Sequence, residues 1–388
     1  MRSLPATALV YGLIFAGVGV SLPFAGLWFE AQGLSGVEIA MILATPMLAR
    51  VVTGPFLAIW ADGLKLRRTA LFFLGLAAAA AYAGALLVEG VALWLPLWFV
   101  ASTASAAMIP LSDALTLRLA RRDGFVFAWP RGVGSFAFIV ANVAMGLLLT
   151  GAPVDAILVW VAVAAVLSGL AAFLALPREP VLETGVTSSR DRLAGLGRLV
   201  ADPAFMTAVA AVGFIHASHA FYYGFSAIIW TDQGVSERDV GLLWGVSVAA
   251  ELVLLWLVEP WRRRSPVGPS ALLIMGAVAA AVRWAFLAMA PPLWALWPLQ
   301  ALHALSFAAV FIGGLEAVER LSPSENATAA QMVSSSLSAG LLMGMATLLA
   351  GPLFDAYGTL GYAAMGALAL LGLICAVGVR RAVRAAVS

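Results

Sequence analysis

Eight ionisable side chains lie within stretches otherwise apolar enough for hydrocarbon: Arg50, Asp113, Arg131, His216, His219, Glu251, Arg283 and His303. Hydrocarbon solvates neither a charge nor an imidazole, so such groups by default face a bundle interior or an aqueous path and carry function. Their types limit the chemistry. An arginine fork binds a carboxylate or hydroxyls through parallel hydrogen bonds, and an aspartate accepts from hydroxyls. Glu251, deep in "WGVSVAAELVLLW", is a carrier for a transported proton unless a fixed cation, Arg50 or Arg283, holds its charge. For Arg50 the structural role is the favoured reading. An imidazole exchanges its proton near neutral pH, which suits His303 in "LQALHALSF" either to proton coupling or to a structural hydrogen bond.

His216 and His219, in "HASHAFYYGFSAIIW" (216–230), are one helical turn apart. Tyr223, Ser226 and Trp230 continue the stripe from His219, which predicts the lining of a cavity. Histidines at i and i+3 can chelate, but no cysteine or paired carboxylate stands nearby and HExxH is absent, so no metal site is predicted. The one cysteine, Cys375, excludes an intramolecular disulfide and a cysteine-rich metal site.

The elements that hold these residues follow from composition. Hydrophobic residues make up 63% of the 388 and charged residues 11%, with a mean hydropathy of +0.99. A soluble domain carries roughly twice that charge, so the chain reads as an all-α membrane protein. The apolar run after Arg2 extends to about Phe29, longer than a signal peptide's core of roughly 7–15 residues, and predicts a retained first span. Runs of about 20 apolar residues predict twelve transmembrane helices. They fall at 6–29, 37–60, 69–88, 92–118, 126–149, 154–176, 204–230, 238–258, 268–289, 293–315, 328–350 and 358–379.

With both termini on the cytoplasmic side, this count places 18 of the 22 lysines and arginines in cytoplasmic segments and only Arg238 outside. That asymmetry is what the positive-inside rule demands. The longest polar segment, 177–203, separates a first bundle (1–176) from a second (204–388). "EAQGLSGVEI" (30–39) and "TDQGVSERDV" (231–240) align at an offset of 201 residues, and the same offset sets Arg50 over Glu251. Duplication of a six-helix unit is thereby predicted, with substrate bound near the midplane as in transporters built from such repeats.

Spacing then groups the charges. The turn between spans four and five lies near "RRDG" (121–124), with Asp113 about eight residues before it and Arg131 about seven after. Both therefore stand roughly 11–12 Å from that turn and can meet across the hairpin, as a structural ion pair or as a substrate site. "ADGLKLRRT" (61–69) and "EPWRRRSP" (259–266) follow spans two and eight. An acidic residue before a basic cluster can tie helix ends together, and topogenic anchoring explains the arginines of the second loop equally well. Of the thirteen tryptophans, Trp28, Trp60, Trp94, Trp98, Trp129, Trp261, Trp294 and Trp297 fall near span ends, as belt residues do.

"HAFYYGFSAIIW", "VGLLWGVSVAAEL", "PLSDAL" (110–115), "AVRWA" (281–285) and "LH" (302–303) resemble segments of the 3-phenylpropionate permease family of the major facilitator superfamily, itself related to lactose permease. The resemblance runs the length of the chain. It implies a fold of two pseudo-symmetric six-helix bundles and a proton-coupled importer of a small organic solute, foremost an aromatic carboxylic acid. It further implies substrate contacts at Asp113, Arg131, His219 and Tyr223, and proton coupling through Glu251, Arg283 and His303. Asp62, Arg67 and Arg68 would form a cytoplasmic gate. Gln300 and Ser306 replace the lysine and the essential glutamate of the related tenth helix, so Glu251, His303 or His219 must carry any coupled proton. "WPRGVGSF" (129–136) departs from the family pattern around Arg131, and loop 61–69 lacks the glycine before its basic pair.

The expectations are therefore a multi-pass inner-membrane transporter, not an enzyme, acting as a monomer. Its partners are substrate, protons and lipid, without nucleic acid. It uses no cofactor and draws its energy from the proton gradient. The rivals are a sugar or nucleoside symporter, a drug exporter, a non-transporting sensor and an intramembrane metalloenzyme.

Overall fold

The computed structural model describes residues 3–178, 197, 199–322 and 327–387, all helix or connecting turn. Of the linker predicted at 177–203, residues 179–196 and 198 lie outside the described residues, as do Arg2, Arg190, Arg192 and Arg198. The helices are α1 Ser3–Ala31, α2 Gly36–Asp62, α3 Arg67–Ala85, α4 Val91–Asp123, α5 Ala128–Leu149, α6 Ala156–Ala175, α7 Pro203–Asp232, α8 Glu237–Arg262, α9 Pro269–Leu287 and α10 Leu293–Arg320. The final apolar run, Ala330–Arg381, has 52 residues. At 1.5 Å per residue that is about 78 Å, more than twice a bilayer core. The turn Gly358–Leu360 divides it into α11 (327–357) and α12 (Gly361–Val387), which makes twelve spans among the described residues.

Local chemistry sets the ends. After α1, Gly33 takes a left-handed φ of 84°, and Ser35 caps α2 in a reciprocal box with Glu38. After α7, Gly234 takes φ 80°, and Ser236 Oγ accepts from the Asp239 amide and donates to its carboxylate. Each of these pairs is 201 residues apart, so the aligned loops share a backbone as well as letters. Asp202 caps α7 at the amides of Ala204 and Phe205, and Pro203 opens the helix.

Contacts divide the chain into two units. One comprises Met1–Glu183 with Gly224–Gly245, the other Thr184–Tyr223 with Val246–Ser388. In the first unit α1 packs on α5 and α6, α3 on α4 and α6, and α2 on α4. In the second, α7 packs on α11 and α12, α9 on α10 and α12, and α8 on α10. The same pairing pattern thus recurs six helices later. Division by packing differs from division by duplication at 224–245, because glycines there let helices approach closely. A Cβ on Gly26 would lie 2.1 Å from the Gly224 carbonyl oxygen, and one on Gly146 would lie 2.5 Å from that of Glu237.

Besides a π turn at Ser336–Leu342 of α11, two features near the buried charges depart from straight α-helix. α7 tightens at Ser218–His219, where Ser218 Oγ donates to the Ile215 carbonyl at 2.6 Å and His219 Nδ1 also meets that oxygen. Side chains that bond these carbonyls compete with the helix's own amides and bend it. α8 and α10 each open into a π-helical turn, at Leu254–Val258 and Ala304–Ala309. The two turns pack together around Leu254, Ala304 and Ala308.

Several tryptophans predicted as belt residues are core instead. Trp28, Trp94 and Trp98 are buried and stack edge-on with Phe29, since their indoles fill the interior near the helix ends. Trp129, Trp261 and Trp294 are exposed, as a belt requires.

Candidate functional site

In the first unit, Asp113 and Arg131 do not form the ion pair expected across the α4–α5 hairpin. Tyr11 of α1 intervenes: its hydroxyl donates to Asp113 Oδ1. Arg131 lies over aromatic rings, 4.2 Å from the Phe15 centroid and 5.9 Å from that of Tyr11. α1 packs along α5 and brings its rings to both charges, Tyr11 to Asp113 and Phe15 to Arg131. Tyr11 is fully buried, whereas Asp113 and Arg131 remain partly accessible. Among the described residues no carboxylate pairs with Arg131, so its fork keeps donors for an incoming anion.

The second unit gathers Glu251, His303, Arg283 and Gln300. Arg283, fully buried, donates from Nη1 to His303 Nδ1 at 2.8 Å and from Nη2 to Gln300 Oε1 at 2.7 Å. An arginine can only donate, so His303 Nδ1 must accept. The imidazole proton then sits on Nε2 and points at Glu251 Oε1, 3.0 Å away. The fixed salt bridge weighed for Glu251 with Arg50 or Arg283 is thus replaced by an imidazole relay. The spacing of α9 and α10 places His303 between the two charges. Tyr222 donates to Gln300 Oε1 at 2.9 Å, and the guanidinium stacks on the Tyr222 and Trp284 rings at 4.4 and 4.7 Å.

His219 stands beside this relay, its ring 5.1 Å from that of His303. Its Nδ1 faces the carbonyls of Ile215 and His216, so Nδ1 carries the proton and Nε2 accepts from Ser306 Oγ at 3.1 Å. Ser306 has a second acceptor in the His303 carbonyl at 3.4 Å. Should His219 gain a proton, Nε2 becomes a donor to Oγ, and the hydroxyl can turn its own proton to that carbonyl. Hydrogen-bond geometry alone therefore strands no ring N–H in either state of His219. His216 is spent on the Phe307 carbonyl at 3.3 Å and stacks on that ring. The predicted cavity stripe is corrected: Ser226 and Trp230 are buried, Ser226 accepting from Trp244 Nε1, and only Tyr223 is partly open. Among the described residues no three His, Cys, Asp or Glu side chains are grouped to hold a metal.

The two polar loops also differ from each other. Asp62 pairs with Arg67 at 3.4 Å, but Arg68 turns away to the Leu176 carbonyl and the Phe173 ring. In the second loop Arg262 is buried and forked onto Glu259 at 2.6 and 2.8 Å, with further bonds to Glu316 of α10 and the Val267 carbonyl. Topogenic anchoring does not account for such a cluster; Arg262 ties α8 to α10.

Residues missed in the sequence are Tyr11, Phe15, Tyr222 and Phe307. A tyrosine well inside an apolar span, needing a partner for its hydroxyl, was the available signal for Tyr11 and Tyr222.

Twelve apolar helices in two units of one pairing pattern, with charged groups held inside each, define a multi-pass membrane transporter of the major facilitator type. Residues 5–362 match the MFS_1 like family, and the chain belongs to it. It is 28% identical over 371 residues to the "Probable 3-phenylpropionic acid transporter" of Escherichia coli (strain K12), covering 94% of each chain. It is 25% identical over 374 residues to the "Maltose permease" of Geobacillus stearothermophilus, covering 95% of this chain and 91% of that one. Among solved structures, the nucleoside transporter NupG superposes with a TM-score of 0.82 at 16% identity, over 98% of this chain and 99% of that one. These family relations are to transporters rather than enzymes.

Proposed function

We propose that the chain imports a small aromatic carboxylate, with 3-phenylpropionate as the leading substrate, in symport with protons. The observation that carries this reading is Arg131, a partly accessible guanidinium laid on the Phe15 ring and paired with no described carboxylate. A fork beside aromatic rings matches a ligand that has a carboxylate at one end and a ring at the other. Asp113, held by Tyr11, orients the bound solute, and further substrate contacts are assigned to Tyr223 and His219. The relative that bears a 3-phenylpropionic acid transporter's name supports the same class.

Proton coupling is assigned to Glu251. When ionised, it compensates Arg283 through the His303 relay; when protonated, it leaves that arginine without a counter-charge. Loading or unloading the proton thus changes the electrostatics of the whole buried cluster. Rocking of the halves 1–176 and 204–388 would expose the site alternately. Asp62, Arg67 and Arg68, with the Glu259–Arg262–Glu316 cluster, would hold cytoplasmic helix ends. The protein would work as a monomer in the bacterial inner membrane, both termini cytoplasmic, with no cofactor.

The maltose permease relative supports a neutral-solute symporter as the second reading. Uptake of labelled 3-phenylpropionate, maltose and uridine by the same expressing cells, with and without a protonophore, separates the two. Protonophore-sensitive uptake of the acid alone is expected; uptake of a neutral solute alone overturns the carboxylate assignment. Arg131→Gln is expected to weaken binding of the acid by about ten- to a hundred-fold while Tm stays near that of wild type. Undiminished binding would remove Arg131 from the site.

A further inference from the structure

Arg50 is the intramembrane charge that neither cluster absorbs. It stands 14 residues from the first residue of α2 and 12 from the last, about 21 Å and 18 Å from its ends, hence near mid-span. Its side chain is exposed, and among the described residues it has no hydrogen-bond or ion-pair partner. Two surfaces could expose it, lipid or an internal aqueous path. Helical phase decides between them.

Counting back from Arg50 by 4, 7 and 11 residues gives Pro46, Leu43 and Ile39, the stripe of α2 turned toward the protein. Pro46 and Ile39 are buried, and Leu43 lies 3.7 Å from the Cβ position of Gly224. The opposite stripe is Met41, Val52 and Ile59, apolar and 37%, 73% and 74% exposed, as a lipid face requires. Arg50 thus belongs to the inward stripe, and that stripe is open at this level. One turn further on, a Cβ at Gly54 would meet no atom within 4 Å. An unpaired guanidinium at this depth is tolerated where it faces water and rarely where it faces hydrocarbon.

We propose that Arg50 is a second substrate-binding cation, which takes the carboxylate of the transported anion in a bidentate contact. The inference rests on the carboxylate reading above and adds to it a residue on a different helix from Arg131. Arginine suits the task because its fork matches a carboxylate and its charge persists at any physiological pH. The structural role favoured from the sequence required a partner, and none is present among the described residues.

The test is titration of purified full-length protein with 3-phenylpropionate and with its neutral amide, for wild type, Arg50→Gln and Arg50→Lys. Thermal unfolding is recorded on each. Arg50→Gln should weaken the acid by at least about ten-fold, change the amide by less than about two-fold and leave Tm in place, and Arg50→Lys should restore part of the loss. Unchanged affinity of Arg50→Gln for the acid overturns the proposal, as do equal losses for acid and amide or a collapse of Tm in both variants. Wild-type protein that binds maltose or uridine and no carboxylate would sink the transport reading itself. Wild-type binding of the acid that is lost in Arg131→Gln but kept in Arg50→Gln would sink this inference alone.

Discussion

Glu251→Gln should stop uphill transport and leave downhill exchange running. The glutamine keeps the shape of the protonated carboxyl and can still accept from His303 Nε2, which lies 3.0 Å from Oε1 in the native protein. What it loses is the ability to take up and release a proton. One proton carried with one carboxylate moves no net charge, so the pH gradient drives uptake, and one pH unit, about 1.4 kcal/mol, supports roughly ten-fold accumulation. The variant should fall from that level to no accumulation, while counterflow of labelled substrate between equal concentrations persists. Full accumulation by Glu251→Gln would move the proton to His219 or His303. Loss of counterflow as well would make Glu251 a structural or substrate-binding residue instead.

The second large effect is on stability. Arg283→Met removes the fully buried cation of the cluster and withdraws the donors on His303 Nδ1 and Gln300 Oε1. Breaking a buried ionic arrangement from one side costs about 3–5 kcal/mol, because the remaining partner stays desolvated and uncompensated. A marked drop in Tm of the purified protein is expected. Arg283→Lys should not restore it, since an ammonium cannot reach His303 and Gln300 at once while stacking on Tyr222 and Trp284. Combining Arg283→Met with Glu251→Gln should return part of the loss, because the carboxylate then no longer lacks a counter-charge. Strict additivity of the two changes would show that His303 does not couple them.

The spans were legible because a bilayer imposes length and apolarity on each, and the duplication was legible because its loops keep Gly33 and Ser35 in step with Gly234 and Ser236. The neighbourhood that Asp113 and Arg131 share at Tyr11 followed from counting along two helices. Their separation did not, since it depends on which face α1 turns to the hairpin, and Tyr11 belongs to a span with almost no polar asymmetry. The same holds for His303, whose tautomer is set by a donor on α9. Trp28, Trp94 and Trp98 misled because position near a helix end does not say whether a ring points to lipid or to the bundle. Arg50 misled differently: its expected partner, Glu251, is taken by an imidazole that residue spacing alone does not bring there.

The paired π turns of α8 and α10 bear on what the chain can vary. An α-helix rotates about 100° per residue, and a π turn holds one residue more than the α geometry it replaces. In α10 the turn at Ala304–Ala309 lies between His303 and Glu316; in α8 the turn at Leu254–Val258 lies between Glu251 and Glu259. Each is a frameshift in space that sets the angle between the intramembrane relay and the Arg262 cluster. Losing one residue from either turn would let it close into α-helix with its flanks still in phase, whereas losing one from the α-helical part of the span would turn Glu316 or Glu259 about 100° away from the relay. A one-residue gap confined to these turns is therefore the length difference this scaffold absorbs with both clusters in place.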